Sequence, residues 1–254
     1  MINALLGVKR LSLLSKICIF LLGICLIQTN HCIAVPNAFE QISSYSQASQ
    51  DRFVYTLLYE LFDKQDEGYY FEIGAGHPIS TNNSYFFEKN LGWKGISLDI
   101  DPKISMEWRF ARKNLLLIED ATQSDYKSIL QSSPHVIDYL SLDIDSSYDV
   151  VLQKIPFNEH VFKVITIEHD FYRHGEKYRK NEREILSSLG YYLLCPDVVI
   201  FFNGKDCIFE DWWIYPKAFP ADLVSMLISL DLKTKKHDQL INILQSFIFH
   251  LTKS

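Results

Sequence analysis

The sequence predicts an α/β fold: a single doubly wound, mostly parallel sheet that ends in an antiparallel hairpin. Strand-like and helix-like patterns alternate with short connections, as expected of parallel strands joined by covering helices. An apolar strand at residues 69–73 runs directly into the glycine turn Gly74-Ala75-Gly76. Two strand patterns near residues 191–194 and 198–202 lie close together and predict the closing hairpin.

The other elements follow from periodicity and from residues that begin or end helices. Apolar residues at helical spacing predict a helix over about residues 51–63. Ser80 or Thr81 is expected to begin a second helix, which ends at Gly92. The remaining predicted strands are at 95–98, 115–118, 136–142 and 162–167, and the remaining helices carry residues 104–111, run through 186, and cover 221–230 and 237–251.

Composition allows a globular enzyme and gives no support to a general nucleic-acid binder. The chain has 254 residues, 48% of them hydrophobic and 22% charged, which is enough for one sizeable core. Its net charge is −6, so no overall positive field attracts nucleic acid. The basic residues at 177–183 are interrupted by glutamates, and we interpret them as a solvated helix face.

The N-terminus has the layout of a secretory signal peptide. Lys9, Arg10 and Lys16 precede the uninterrupted apolar run at residues 17–27, and a small-residue site follows at 32–34. We therefore predict a signal segment over residues 1–34, an exported protein, and one folded domain over residues 35–254. An uncleaved membrane anchor at residues 11–27 is the alternative. Membrane contact is expected only through this N-terminal segment.

The cysteines leave one question open. Only Cys195 and Cys207 lie in the body of the chain, and no Cys-x-x-Cys or Cys/His spacing predicts zinc. After export the two thiols can form a disulfide, since each lies beside a predicted late strand. Two buried free thiols are the alternative.

Acidic residues follow five successive predicted strands. Because ligands of open α/β sheets bind beyond the carboxyl ends of the strands, these acids are expected to form one rim. Asp101 and Asp125 are better explained as helix caps. The rim beside the glycine turn predicts a nucleoside site, in which glycine lets the backbone approach the ligand and an acid accepts ribose hydroxyls. The rim residues are Glu72, Asp99, Glu119, Asp120, Asp143, Asp145, Glu168 and Asp170.

Several motifs occur in the order found in one family. They are Ser46-Gln47-x-x-Gln50-Asp51, Glu72-Ile73-Gly74-Ala75, Gly92-Trp93-Lys94-Gly95, the segments at 138–143 and 165–169, Glu184-Ile185-Leu186 with Gly190-Tyr191, and Glu210-Asp211-Trp212. From about residue 46 to 213 the chain resembles the FkbM family of S-adenosylmethionine-dependent methyltransferases. The resemblance implies a class I methyltransferase (Rossmann-like) fold with a seven-stranded sheet. It also implies methyl transfer from S-adenosyl-L-methionine to a hydroxyl of a sugar, glycan or small metabolite.

The resemblance also implies which residues hold the cofactor. Glu72, Gly74 and Gly76 would shape the methionine side of the pocket, Asp99 would accept the ribose hydroxyls, and Asp120 would lie near the adenine amino group. The chain departs from the family at two places. His77-Pro78 replaces a polar-glycine pair, and Asp143-Ile144-Asp145-Ser146 replaces Asp-x-Glu-Gly.

Methyl transfer to a hydroxyl needs a base that removes its proton. His169 is the first candidate, because an unperturbed imidazole titrates near neutral pH, and Asp143 is either the second candidate or the partner of His169. A buried core histidine is an equally good interpretation of His169. A divalent metal held by Asp143, Asp145 and His169 is a minority alternative, and we predict no metal. A glycosyltransferase with a metal-binding Asp143-Ile144-Asp145 is weaker still, because it leaves the glycine turn unexplained.

Export and activity conflict, because S-adenosylmethionine is made in the cytosol. Basic residues before the apolar run place the domain across the membrane from the cytosol. The protein is then exported onward to a compartment that holds the cofactor, or its orientation is inverted. The remaining alternative is a catalytically degenerate methyltransferase fold that serves as a binding or trafficking module.

Overall fold

The computed structural model describes residues 44–253. The predicted signal or anchor segment lies outside these residues and stays a prediction. Residues 44–244 belong to one compact unit, and residues 245–253, the end of the last helix, are grouped separately from it. Within the described part, no helix has the length and apolar character needed to cross a membrane.

One seven-stranded sheet organises the body and confirms the predicted fold class. Its strand order is β3-β2-β1-β4-β5-β7-β6. The first five strands are parallel to their neighbours, whereas β7 runs antiparallel to both β5 and β6. The strands are β1 Tyr69–Ile73, β2 Lys94–Asp99, β3 Leu115–Ile118, β4 Val136–Leu142, β5 Val161–Glu168, β6 Tyr192–Phe202 and β7 Lys205–Ile214.

Helices connect the parallel strands and follow the last antiparallel pair. The helix predicted at 51–63 begins as α1 and continues as a π-helix over Thr56–Leu61. The α-helices are α1 Gln50–Tyr55, α2 Tyr85–Leu91, α3 Ile104–Ala111, α4 Tyr126–Leu130, α5 Tyr148–Lys154, α6 Phe171–His174, α7 Glu176–Ser188, α8 Ala221–Ile228 and α9 His237–Lys253. Asp125 caps α4 as predicted, because its side chain accepts the Ser128 N–H.

The predicted hairpin is wrong in its position. The two patterns at 191–194 and 198–202 are parts of one long strand, β6, whose register shifts between Leu193 and Val199. The turn lies instead at Asn203 and Gly204, both with positive φ, and β7 is the second strand. Pro196 interrupts the strand pattern of β6 at the β-bulge. A proline between two short strand patterns is also typical of a turn, and for this reason the sequence predicted a turn there.

Helix α2 also begins later than predicted. It starts at Tyr85, after Ser84, rather than at Ser80 or Thr81. Residues 75–84 instead form a loop that is held by hydrogen bonds to Glu72 and Arg112. Asn82 accepts the Tyr85 N–H at 2.7 Å, which supplies the cap that the helix needs.

Two adjacent tryptophans of β7, Trp212 and Trp213, are buried on opposite faces of the sheet. Successive strand residues point to opposite faces, and both side chains are fully buried. Trp212 stacks on Phe53 of α1 at 4.3 Å between ring centroids. Trp213 belongs to the main apolar cluster, and its indole N–H donates to Glu182 of α7. These tryptophans therefore pack the sheet between its covering helices.

Cys195 and Cys207 are free and buried. They lie on opposite strands of the β6–β7 pair, where Cys195 pairs with Trp212 and Cys207 pairs with Ile200. Burial raises the pKa of the Cys195 thiol. The structure thus favours two buried thiols over a disulfide.

The turn after β1 depends on a glycine. Gly74 has φ +85°, and a Cβ on it would lie 1.7 Å from the Asp143 carbonyl oxygen. The Asp143 N–H in turn donates to the Ile73 carbonyl at 2.8 Å. The backbones at the ends of β1 and β4 are therefore in direct contact. Gly76 also has positive φ, but no atom lies within 4 Å of the Cβ position.

We expect Gly74→Ala to destabilise the fold far more than Gly76→Ala. The first change combines a backbone clash with strain at positive φ and should cost about 3 kcal/mol or more. The second adds only the strain, about 1 kcal/mol. Urea unfolding of both variants measures the difference. Equal losses would show that the β1 and β4 ends do not touch.

Candidate functional site

The glycine turn is tied directly to the acid that ends β2. The Gly76 N–H donates to Asp99 Oδ2 at 2.7 Å. The N–H groups of Gly74 and Ala75 donate to the Leu98 carbonyl at 2.8 and 3.1 Å. The Asp101 N–H donates to Asp99 Oδ1 at 2.8 Å. Each carboxylate oxygen of Asp99 thus accepts one backbone hydrogen bond, and the side chain is held beside the turn.

Asp120 lies at the neighbouring strand end. The Glu119 N–H donates to the Asp99 carbonyl at 2.9 Å, so the ends of β2 and β3 are adjacent. Asp120 Oδ1 accepts from the Thr122 hydroxyl and N–H, both at 2.8 Å, and these bonds lower the pKa of Asp120. Its Oδ2 has no hydrogen-bond partner between residues 44 and 253. The structure therefore brings Asp99 and Asp120 together along one rim.

Glu72 lies beneath the glycine turn and supports it. The side chain is buried and accepts from the hydroxyls of Ser84 and Ser97 at 2.8 and 2.7 Å. The Ser84 N–H and the Asn82 amide also donate to it, at 3.1 and 3.4 Å. Burial raises the pKa of Glu72, although the nearby Arg112 opposes this. Its two oxygens are engaged by the protein, so Glu72 shapes the turn from within.

Arg112 is a central residue that the sequence did not reveal. Its guanidinium donates to the Ser84 hydroxyl at 2.8 Å and to Asn82 Oδ1 at 3.0 Å. It also donates to the Glu88 carboxylate at 2.7 Å and lies over the Trp108 ring at 4.3 Å. A single arginine after a helix belongs to no sequence motif, so its contacts could not be predicted. The structure shows that Arg112 holds the loop at residues 75–84.

Asp143 and Glu168 form an acid pair at the ends of β4 and β5. Burial raises the pKa of both carboxyls, and each is hydrogen-bonded to the other. Two facing carboxyls share such a bond only when one of them is protonated, so the pair holds a proton more tightly than a free carboxyl does. The Asn83 amide donates to Asp143 at 3.4 Å and to Ser141 Oγ at 3.0 Å.

Polar atoms without partners surround this pair. Within the described residues, Asn83 Oδ1, Tyr148 Oη and Asp170 Oδ1 are buried and make no hydrogen bond. Burial raises the pKa of Tyr148. Asp170 has positive φ and binds Arg173 through its other oxygen at 2.8 Å. The cluster is thus rich in acceptors and poor in donors, as in a site that receives polar groups of a ligand.

His169 lies away from this cluster. Its side chain is fully buried, its Nδ1 accepts the Phe171 N–H at 3.3 Å, and its Nε2 lies 3.5 Å from Asp211 Oδ1. Neither ring nitrogen is therefore exposed to a ligand. Asp145, by contrast, is almost fully exposed and binds Arg173. The structure does not bring Asp143, Asp145 and His169 together as one ligand set.

A different group of three potential metal ligands does occur. Within the described part, ligand atoms of His169, Asp197 and Asp211 lie within 4.8 Å of one another. Arg183 already donates to Asp211 at 2.6 and 2.8 Å and to Asp197 at 2.8 Å. Burial would raise the pKa of Asp211, but the hydrogen bonds from Arg183 and the nearby His169 ring lower it to about 2. The carboxylates are neutralised by arginine, so this group is a buried ion-pair network rather than a metal site.

A cavity of about 440 Å³ lies elsewhere. His135 and His160, which line it, directly precede β4 and β5. The cavity is therefore at the amino ends of these strands, opposite the acidic rim. None of the sequence-predicted site residues lines it.

Comparison with known proteins shows likeness only at the level of fold. No protein-family model matches the chain, and no curated protein matches it. The Dnmt2 methyltransferase of S. pombe matches with TM-score 0.45 and 14% identity over 58% of this chain and 49% of that chain. The magnesium protoporphyrin IX methyltransferase of Synechocystis, solved with bound SAM, matches with TM-score 0.42 and 12% identity over 65% and 77%. The precorrin-6y C5,15-methyltransferase of Geobacter metallireducens matches with TM-score 0.43 and 14% identity over 68% and 92%.

These likenesses are too weak to assign an activity. All three proteins are methyltransferases by name, but the match to Dnmt2 spans less than half of that chain. The class of fold rests instead on the strand order of this sheet. Membership of the FkbM family stays a prediction.

We expect Glu168→Gln to stabilise the protein at neutral and alkaline pH. The fold raises the pKa of Glu168 above its ordinary value of 4.5, so at pH values above 4.5 this carboxyl binds more protons in the folded protein than in the unfolded chain. The free energy of unfolding therefore falls as the pH rises. A glutamine side chain does not titrate, so the variant does not lose stability in this way. The gain should be near zero at pH 4.5 and about 1 to 3 kcal/mol at pH 8.

Urea unfolding across this pH range measures the effect. Glu184→Gln, at an exposed position of α7, is the matched control and should change stability by about 0.5 kcal/mol or less. A Glu168→Gln gain that does not depend on pH would show that folding does not raise the pKa of the Glu168 carboxyl.

Proposed function

We propose that this protein is an S-adenosylmethionine-dependent methyltransferase that acts on a hydroxyl oxygen of a sugar or small metabolite. The observation that carries the proposal is the hydrogen bond between the Gly76 N–H and Asp99 Oδ2. It joins the glycine turn after β1 to the acid after β2. Strand order reverses between β1 and β4, and this is where open α/β sheets bind nucleosides.

The residues at this position fit the nucleoside part of the cofactor. Each carboxylate oxygen of Asp99 accepts one backbone N–H and has a second lone pair for a ribose hydroxyl. The open space above Gly76 allows close approach of a ligand. Asp120 Oδ2 is available for an amino group such as that of adenine. Glu72 contributes by holding the turn.

The bound sulfonium supplies an activated methyl group, so the protein must align the acceptor and take its proton. The Asp143 backbone contacts Gly74, which places the ends of β4 and β5 beside the turn. We therefore propose Asp143, with Glu168 as its hydrogen-bonded partner, as the base. A raised pKa makes a carboxylate a stronger base near neutral pH.

His169 is less suited to contact the acceptor. Its ring is fully buried, and its nitrogens face the Phe171 N–H and Asp211. In this arrangement it orders the loop after β5, which carries Asp170.

The main alternative is a degenerate fold that binds partners without catalysis. That hypothesis requires a filled or blocked nucleoside pocket. The open position at Gly76 and the spare acceptor capacity of Asp99 do not favour it. A metal-binding Asp143-Ile144-Asp145 is not favoured either, because Asp143 bonds to Asn83 whereas Asp145 bonds to Arg173.

Export remains a separate proposal. It is supported by the layout of residues 1–34, with basic residues, an apolar run and a small-residue site in order. An active exported enzyme must then reach a compartment that holds the cofactor. Membrane anchoring through residues 11–27 is the alternative.

Calorimetric titration with S-adenosylmethionine tests the proposed function. We expect micromolar binding to the purified protein, weakened about 10- to 100-fold by Asp99→Ala, because charge-assisted hydrogen bonds to the ribose are lost. Asp101→Ala, two residues along the same loop, is the matched control and should bind like the original protein. Thermal melts must show that both variants are folded.

Absence of binding by the folded protein would overturn the cofactor assignment. Equal losses in Asp99→Ala and Asp101→Ala would place the ribose away from Asp99.

A further inference from the structure

The terminal strand of the sheet is apolar and exposed. β3 lies at the edge of the sheet and pairs only with β2 within the described residues. Its four residues are Leu115, Leu116, Leu117 and Ile118, and relative exposure is 54% for Leu115 and 38% for Ile118. Edge strands of monomeric proteins usually have a charge, a proline or a bulge that prevents pairing with another chain. β3 is short, at four residues, but it has no charge, proline or bulge.

Its outer edge offers unused backbone groups. The register pairs Leu117 with Leu98, and the Glu119 N–H donates to the Asp99 carbonyl. Because alternate residues of a strand direct their N–H and C=O groups to opposite sides, Leu115 and Leu117 bond to β2. The backbone groups of Leu116 and Ile118 therefore point outward. No hydrogen bond within residues 44–253 uses them.

Further apolar side chains lie exposed in the segments that lead to this strand. Met106 and Phe110 are one turn apart on α3, with relative exposures of 72% and 89%. Ile100, just before α3, is 67% exposed. We call residues 100, 106, 110 and 115–118 the β3 edge surface. Exposed apolar patches of this kind mark interaction sites.

Opposite charges flank β3. Lys113 precedes the strand, and its ammonium forms no ion pair with any described residue. Glu119 follows the strand and accepts only the Ser124 hydroxyl, at 3.0 Å. A strand with a positive residue before it and a negative residue after it is complementary to an antiparallel copy of itself.

We propose that the β3 edge surface binds a second copy of this chain, with the two β3 strands antiparallel about a twofold axis. Only residues with outward backbone groups can form hydrogen-bonded pairs across such an interface. Pairing Leu116 with Ile118 of the second copy uses every outward N–H and C=O of these residues. Lys113 then lies diagonal to Glu119 of the second copy on the same face, within reach of long side chains.

The same symmetry accounts for the exposed residues of α3. A twofold axis perpendicular to the sheet places both α3 helices on one face of the joined sheet. Met106 and Phe110 of each copy then flank the axis, where an interface covers apolar side chains. β3 ends at Ile118, and because the two strands run antiparallel, the two proposed nucleoside sites lie at opposite ends of the joined edge.

Sedimentation velocity of the purified full chain over a range of concentrations tests the proposal. We expect a monomer–dimer equilibrium that Lys113→Glu or Glu119→Lys each weakens at least about tenfold, since each variant places like charges opposite each other. The double variant Lys113→Glu/Glu119→Lys should restore dimerisation. Lys89→Glu, on the exposed side of α2, is the matched control and should leave the dissociation constant unchanged.

The proposal is overturned by a monomer at all concentrations. It is also overturned by a dimer that the single charge changes do not weaken, or by a folded double variant that stays monomeric. Circular dichroism melts verify folding of every variant. Because the assay does not use S-adenosylmethionine, its outcome is independent of the proposed activity.

Discussion

The candidate site depends on a backbone contact that only glycine allows. At Gly74 the β1 turn lies so close to the Asp143 carbonyl that no side chain fits between them. This contact aligns the end of β4 with the turn after β1, and so places the Asp143–Glu168 pair beside it. The bond from Gly76 to Asp99 then joins the turn to β2. Because residue 74 is a glycine, the proposed nucleoside position and the Asp143–Glu168 pair lie next to each other at one rim of the sheet.

Buried charge holds this arrangement from below. Glu72 and Arg112 are both buried and share the partners Asn82 and Ser84. Burying a charge is costly unless it is paired and hydrogen-bonded, and here the donors of Arg112 and the acceptors of Glu72 are distributed over the same loop. On the far side, Arg183 neutralises Asp211 behind the β5 end. In the acid cluster between them Asp170 binds Arg173, but Asp143 and Glu168 form no ion pair with a described residue, which is typical of functional sites that give up stability.

Sequence patterns predicted the parallel strands closely, because hydrophobic periodicity reports burial directly. β1, β3 and β4 have the predicted limits. The late hairpin was misplaced because Pro196 and the bulge near it resemble a turn, so β7 was missed. Asp99 and Asp120 lie on one rim as expected, whereas His169 is buried against Asp211. The role of Arg112 and the raised pKa of Glu168 depend on long-range contacts that no local pattern contains.

The most direct test of the central claim is a crystal structure of this protein with S-adenosylhomocysteine, the demethylated cofactor. The account predicts both ribose hydroxyls within hydrogen-bond distance of the Asp99 carboxylate, with the ligand crossing the open side of Gly76. The ligand's sulfur should then face the Asp143–Glu168 pair. A ligand bound in the cavity by His135 and His160, or anywhere else away from Asp99, would contradict the account.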